Sequence, residues 1–366
     1  MMQSNNKIKI DPFTQHNQQY PSWDPMVIHD GKQWLLYFLT TTQKKTAGFD
    51  PANFFTVANY IHGFASPDLQ SWEDLGPVIT AQTEAERVCA GSLYQENGLI
   101  YFFYSSTVKQ LSPDLLDQRL FLATSTDGIH FDLDRNFSLP PDASMYPTKS
   151  FNPNTGEMMF AWRDPAIFQD PKSGKYYLFI CAGAVRWGVP PQVAVAVADH
   201  VAGPYKLLPP AAEPKIKVQD KLTMTLGEIE RVQVRFHNER YYMFCSSWRN
   251  LLSPEFLQIC EDLGYEITDS TIYVLSSDNV EGPYEFDFDH LIVKNSSHTG
   301  FYGSWLVPSS PESEVVNLIG WYTDKFAVNI DQPFKFNQMG KDCFLTNNNA
   351  LRWKKLKFQV KQIGIK

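Results

Sequence analysis

Apolar and polar positions along this chain fall into a repeated pair of hairpins. The first pattern is a strand leading into a polar turn, followed by an aromatic strand. It reads WDPMVIHDGKQWLLYFLTTT from Trp23, GSLYQENGLIYFFYSST from Gly91, RDPAIFQDPKSGKYYLFICAG from Arg163 and ERVQVRFHNERYYMFCSSW from Glu230. A degenerate fifth copy, YGSWLVPSSPESEVVNLIGWYTD, begins at Tyr302. The second pattern follows every copy but the last and joins a short apolar strand to a Trp, Phe or Tyr strand. Its copies are IHGFASPDLQSWEDLGPVI, LFLATSTDGIHFDLD, VAVAVADHVAGPYKLLPP and IYVLSSDNVEGPYEFD. Asn, Asp and Gly fill the turns HDGK, QENG, PKSGK and HNE, where the backbone needs residues that tolerate left-handed angles.

Two such hairpins make a four-stranded unit. Counted from Asp24, Ser92, Asp164, Glu230 and Tyr302, the unit recurs at intervals of 68, 72, 66 and 72 residues. Five units therefore fill nearly the whole chain, and a constant period of this kind signals a repeat architecture. The sequence predicts an all-β, five-bladed β-propeller of four-stranded antiparallel blades, a single domain over residues 1–366. Its blades start near residues 20, 88, 160, 227 and 300. Radial repetition protects strand edges that an open sheet would expose. A two-sheet sandwich with the same strand count is the alternative, and the near-constant spacing favours the propeller. The segments 43–58, 135–160, 209–226 and 250–268 exceed what four strands need and are expected as rim loops.

Composition narrows the function classes. Aromatic residues reach 14%, and a formal net charge of −8 leaves no basic footprint for nucleic acid or an anionic membrane. No apolar run is long enough to span a bilayer. The polar start, MMQSNNKIKIDPFTQHNQQY, does not read as a secretory signal, so a cytoplasmic protein is expected. Cys89, Cys181, Cys245, Cys260 and Cys343 are too scattered for a metal site or a disulfide framework and are expected as reduced thiols. No glycine-rich phosphate loop precedes a helix, and no two His have metal-ligand spacing. Neither a cofactor nor a metal is called for.

In a propeller the first strand of each blade lines the central channel, so matching positions of the five first strands converge. In copies one, three and four those positions read as Asp24, Asp164 and Glu230; copies two and five offer the neutral Ser92 and Tyr302. A lone Asp before Pro usually caps a turn, and a lone Glu beside Arg is usually a solvated pair. Three acids in register repel one another at a cost to stability, which points to chemistry or a cation. Glycosidic cleavage needs one carboxylate to attack or activate water and another to deliver a proton. Trp23, Trp162, Arg163, Arg231 and Trp248 flank these acids, and rings and guanidinium forks are what sugar faces and hydroxyls bind.

The motifs SWDP, FAWRDPAIF and GEIERVQV followed by YYMFCSSW resemble the levansucrase and inulosucrase family, glycoside hydrolase family 68. They are similar, less closely, to the wider β-fructosidase superfamily. The resemblance runs from about residue 20 to 330 and implies a sugar substrate of the β-fructofuranoside type. It implies Asp24 as the nucleophile, Asp164 as the transition-state stabiliser and Glu230 as the acid and then the base. Glu228 and Arg231 would orient the substrate and tune Glu230, while Trp23 and Arg163 would line the fructosyl subsite. The chain departs from the family in three places. Cys89-Ala90-Gly91-Ser92 stands where the family has Trp-Ser-Gly-Ser, and Gly227 stands where calcium-binding members carry an acid. Trp248, followed by Arg249, stands where an Arg is usual.

The alternatives are an inverting pentosidase of the related arabinanase and xylosidase propellers, which use the same three positions, and a non-catalytic carbohydrate-binding propeller. A retaining enzyme holds its two carboxyls about 5–5.5 Å apart, an inverting one about 6.5–9.5 Å. The short chain and the altered second blade are expected to favour hydrolysis or short-oligosaccharide transfer over long fructan. The oligomeric state is not legible in the sequence.

Overall fold

The computed structural model describes residues 11–323 apart from 46–58, 83–85, 110–114, 147–149, 152–157, 186–187, 219–220, 287–290, 294–295 and 309–314. It also describes residues 325, 327–329, 343–345 and 350–353.

Five antiparallel sheets surround one axis, and each is built innermost strand first. Blade one comprises Ser22–His29, Trp34–Thr40, Tyr60–Ser66 and Glu73–Thr80. Blade two comprises Glu86–Glu96, Leu99–Lys109 and Leu115–Ser125, with Asp132–Leu133 outermost. Blade three runs Trp162–Gln169, Tyr176–Ala182, Gln192–Ala198 and Lys206–Ala212; blade four runs Glu230–His237, Arg240–Ser246, Tyr273–Ser277 and Glu285–Phe286. Blade five starts with Phe301–Pro308 and Val315–Tyr322. Ala350–Trp353 and Cys343–Leu345 then complete it, and Ala327–Asn329 pairs with the other end of its second strand. The inner strands pack neighbour to neighbour, and the first meets the fifth. The expected five-bladed propeller is the fold.

The strands form where the sequence alternates aromatic and β-branched residues, and the turns form where it places Asn and Gly. Asn97 and Gly98 have φ of 52° and 80°, and Asn238 and Glu239 have 47° and 63°, the paired positive angles a tight hairpin requires. The core lies between blades. One cluster joins blades five, one and two through residues such as Met26, Tyr37 and Ile319, and another joins blades three and four through Phe179, Val232 and Tyr273.

Helix α1 (Pro12–Gln19) is capped by Asp11, whose carboxylate accepts from the Thr14 amide at 3.0 Å. Its Phe13 packs against Phe38, Phe64 and Trp72 of blade one. Three of the expected rim loops carry regular structure instead. In 135–160, Ser150–Phe151 and Met158–Phe160 extend the edge of blade two. In 209–226, Lys215–Val218 pairs with Lys221–Met224, and 250–268 folds as α2 (Pro254–Asp262) with Ser253 as its cap. Alternating and amphipathic stretches hidden inside these polar insertions account for the difference. Of the segment 43–58, residues 46–58 lie outside the described ones.

One irregularity recurs in all five inner strands. The register with the second strand slips between Trp23 and Met26, Val88 and Gly91, Arg163 and Ala166, Glu230 and Gln233, and Tyr302 and Trp305. Each slip is a β-bulge, which turns the strand and re-aims its side chains.

Candidate active site

The bulges build the site. The first bulged residue is Asp24, Asp164, Arg231 and Gly303 in blades one, three, four and five, with φ of 51°, 53°, 55° and 57°. Cys89 holds that place in blade two. Non-glycine residues adopt these angles at a cost, and such outliers gather at functional sites. The residue just before the bulge is Trp23, Val88, Arg163, Glu230 or Tyr302. The expected register is thereby corrected: Glu230 matches Trp23, Arg163 and Tyr302, and Arg231 is the partner of the two Asp residues. Because a bulge places consecutive residues toward the axis, the three acids still converge.

Arg163 ties the cluster together. Its Nη2 donates to Glu230 at 2.9 Å and to Glu228, and its Nε lies 3.8 Å from Asp164. Glu228 is fully buried. The Tyr302 hydroxyl donates to the other oxygen of Glu230. Asp24 accepts from the indole Nε1 of Trp321 at 3.1 Å. Arg231 donates to the carbonyls of Gly91, at 3.3 Å, and Pro25, and its guanidinium lies 5.1 Å from the Trp305 ring centre. The Asp164 amide donates to Ser105 Oγ at 3.3 Å.

Burial dominates the electrostatics. The Asp24 carboxyl is pushed up to about 7, first by burial, with the charges of Asp164 and Glu230 adding and Arg231 opposing. Asp164 is also raised by burial, against the pull of Arg163 and Arg231. Burial pushes the Cys89 thiol up to about 11, so it faces the acids as a neutral group. Asp24, Glu230, Cys89 and Trp248 keep part of their surface exposed, while Asp164, Arg163 and Arg231 are buried behind them.

Other expected contacts lie elsewhere. Ser92 is two residues past its bulge, and its hydroxyl donates to Pro165 O and accepts from the Ile167 amide, both at 2.8 Å. It locks blade two to blade three rather than facing a sugar. Trp23 and Trp162 are each 1% exposed. Trp162 donates to Leu139 O at 2.8 Å, and both rings pack in core clusters, leaving almost no face for a sugar. Trp248 is the accessible ring, stacked on Tyr302 with centroids 4.1 Å apart at 17°. Arg249 is exposed and donates to Ile267 O, so it does not take the place of an arginine in the well. At Gly227 an added Cβ would collide with the Leu251 carbonyl, so packing excludes any side chain. Sequence reasoning missed Trp321 and Gly303; the only signal was the GWY of the fifth aromatic strand.

Residues 59–188 match the family model described as the glycosyl hydrolases family 32 N-terminal domain. No curated protein matches the chain. Among solved structures, Bacillus subtilis levansucrase superposes with a TM-score of 0.61 at 16% identity, covering 93% of this chain and 89% of that one. The chain shares the five-bladed propeller fold of that structure. Two further solved structures agree. The inulosucrase of Halalkalicoccus jeotgali bound to kestose gives a TM-score of 0.58 at 20% identity, covering 90% of this chain and 86% of that chain. The β-fructofuranosidase catalytic domain of Microbacterium saccharophilum K-1 gives 0.59 at 14% identity, covering 88% and 80%. The fold is shared with these three proteins, and the matched segment is similar to a domain of glycosyl hydrolases. The segment contains Cys89 and the Arg163–Asp164 pair; Asp24 and Glu230 lie outside it.

Proposed function

We propose that this protein is a retaining glycoside hydrolase or fructosyltransferase acting on β-fructofuranosides. The observation that carries the reading is the meeting of Asp24, Asp164 and Glu230 near the axis, where Arg163 holds Glu230 and Asp164 and the charge of Arg231 acts on Asp24 and Asp164. Asp24 is the partly exposed carboxylate at the mouth of blade one and attacks the anomeric carbon, forming a fructosyl ester. Glu230, also partly exposed, delivers its proton to the leaving oxygen and then takes one from water or a sugar acceptor. Asp164, buried against two guanidinium groups, accepts from sugar hydroxyls as positive charge develops on the ring. Trp248 offers a ring face at the edge of the same well. A levansucrase complexed with sucrose and an inulosucrase bound to kestose share the fold, which supports sugars of this class as substrates.

Product analysis on sucrose, raffinose and aryl pentosides, with the anomer of the first product recorded, tests the reading. Retained fructose release, with an ester trapped on Asp24 by rapid quench and mass spectrometry, supports it. Pentose released with inversion would replace it, and inertness toward all three substrates would reduce the well to a binding site. With sucrose in excess, the expected products are free fructose and short oligosaccharides.

A further inference from the structure

The proposed chemistry assigns nothing to blade five, yet that blade sends a hydrogen-bond donor to each of the two acids that must differ in charge. Tyr302 and Trp321 are register partners on its first two strands. The Tyr302 hydroxyl donates to Glu230 and the Trp321 indole donates to Asp24 at 3.1 Å. Their rings meet edge to face at 5.9 Å and 80°, and Trp248 covers both. The two donors differ in kind. An indole N–H only donates, whereas a phenol hydroxyl donates or accepts. The first suits a carboxylate that must stay ionised; the second suits a carboxyl that gains and loses a proton in each turnover.

Gly303 adds an independent observation. At the same bulge position and nearly the same φ, blades one, three and four carry Asp24, Asp164 and Arg231, so the backbone alone does not demand glycine in blade five. Space does. A Cβ at Gly303 would lie 3.0 Å from Asp24 Oδ1 and 3.2 Å from Trp321 Nε1, beside the bond that joins them.

We infer that Trp321 is a positioning residue of the reaction, whose donor-only N–H orients the Asp24 carboxylate for attack and favours its ionised form, and that Gly303 is small to admit that bond. The inference rests on Asp24 being the nucleophile. Burial works against ionisation of Asp24, and the Trp321 bond is one of the contacts that oppose this effect.

Two replacements at position 321 remove the donor: Trp321→Phe, and benzothienylalanine, which keeps the bicyclic outline with sulfur in place of N–H. The pH dependence of kcat/KM on sucrose is measured, and the Asp24 carboxyl is titrated directly by infrared difference against Asp24→Asn. The expected result is a loss of roughly tenfold or more in kcat/KM and an upward move of the Asp24 titration by about one pH unit. The alkaline limb should stay in place. Trp321→His, which can still donate, should recover part of the loss, and Gly303→Ala should move the Asp24 titration in the same direction. An unmoved titration in the sulfur analogue overturns the inference whatever happens to turnover, because lost packing alone slows the reaction without shifting that carboxyl. Wild-type turnover by Asp24→Asn would instead sink the nucleophile assignment, a distinguishable failure. The infrared titration stands whether or not sucrose is the substrate.

Discussion

Asn17 and Val328, separated by 311 positions in the chain, exchange two hydrogen bonds: the Asn17 amide donates to the Val328 carbonyl at 3.0 Å and accepts from its N–H at 3.1 Å. Lys45 adds to the seam, donating to the carbonyls of Asn17 at 2.8 Å and Lys325 at 2.5 Å. Helix α1 thus fastens blade five to blade one. Asn17→Ala should lower stability by about 1–3 kcal/mol through the unpaired backbone groups it leaves. Chemical denaturation would register this, while the pH profile of activity should be unchanged in shape.

The same helix carries a buried histidine. The rings of His16 and His62 lie 4.4 Å apart, and His62 Nε2 is 2.6 Å from Asp74. Burial holds His16 down to about 3, with His62 and Lys45 adding and Asp74 opposing; burial also lowers His62. Above the unfolded value near 6.5 neither state takes up a proton here, so these rings give stability no pH dependence. Below it the unfolded chain binds protons that the folded one refuses. Stability should therefore fall as pH drops from 6.5 toward 3, by up to ~1.4 kcal/mol per pH unit through His16, with His62 acting in the same direction. His16→Phe should flatten this slope in melting curves recorded between pH 7 and 5; an equal slope would show that other groups cause it.

Substitution of the three acids should leave folding intact and remove turnover. Asp24→Asn, Asp164→Asn and Glu230→Gln are each expected to lose at least ~10³-fold in kcat, about 4 kcal/mol of barrier. Glu230→Gln should recover on substrates whose leaving group needs no proton, and Asp24→Asn should not. Wild-type rates in any one of them would remove that residue from the mechanism.

Asp24 also sets a pH limit. With its carboxyl held near 7, the fraction ready to attack falls as pH drops through that value, so kcat/KM should decline tenfold per unit below it. The apparent value belongs to the coupled carboxyls together. A rate constant flat from pH 7 to 5 would contradict this assignment.

Gly227→Asp would introduce the acid that the family resemblance leads one to expect at this place, but the Leu251 carbonyl occupies the space. The variant should lose about 1–3 kcal/mol by overpacking. Added calcium should not restore it, and chelator should not shift the melting temperature of the unaltered protein. Stabilisation by calcium in either form would show a site elsewhere.

Much of this architecture was legible because the turns and aromatic strands repeat. Blade number follows from that period, which also brings Asp24, Asp164 and Glu230 to inner strands. The register around the acids did not, since a bulge adds a residue that no hydrophobic pattern marks, and so Glu230 and Tyr302 read as equivalents of Asp24 when they sit one place before it. Ser92 looked like a site residue for the same reason. Trp23 and Trp162 looked like sugar platforms because sequence does not separate a ring beside a well from one wedged between blades. Trp321 escaped notice because it lies on a second strand and reaches Asp24 from the neighbouring blade.

The repeated bulge confines a change of length to the site. A one-residue deletion at Asp24 would do more than remove an acid. Trp23 and Met26 lie opposite Leu39 and Tyr37, so three steps on the inner strand span two on its neighbour. Losing one residue between them would restore the regular ladder and leave Met26, Val27 and Ile28 on the faces they already occupy. The left-handed turn that aims position 24 would vanish, and with it the site, while the blade kept its packing.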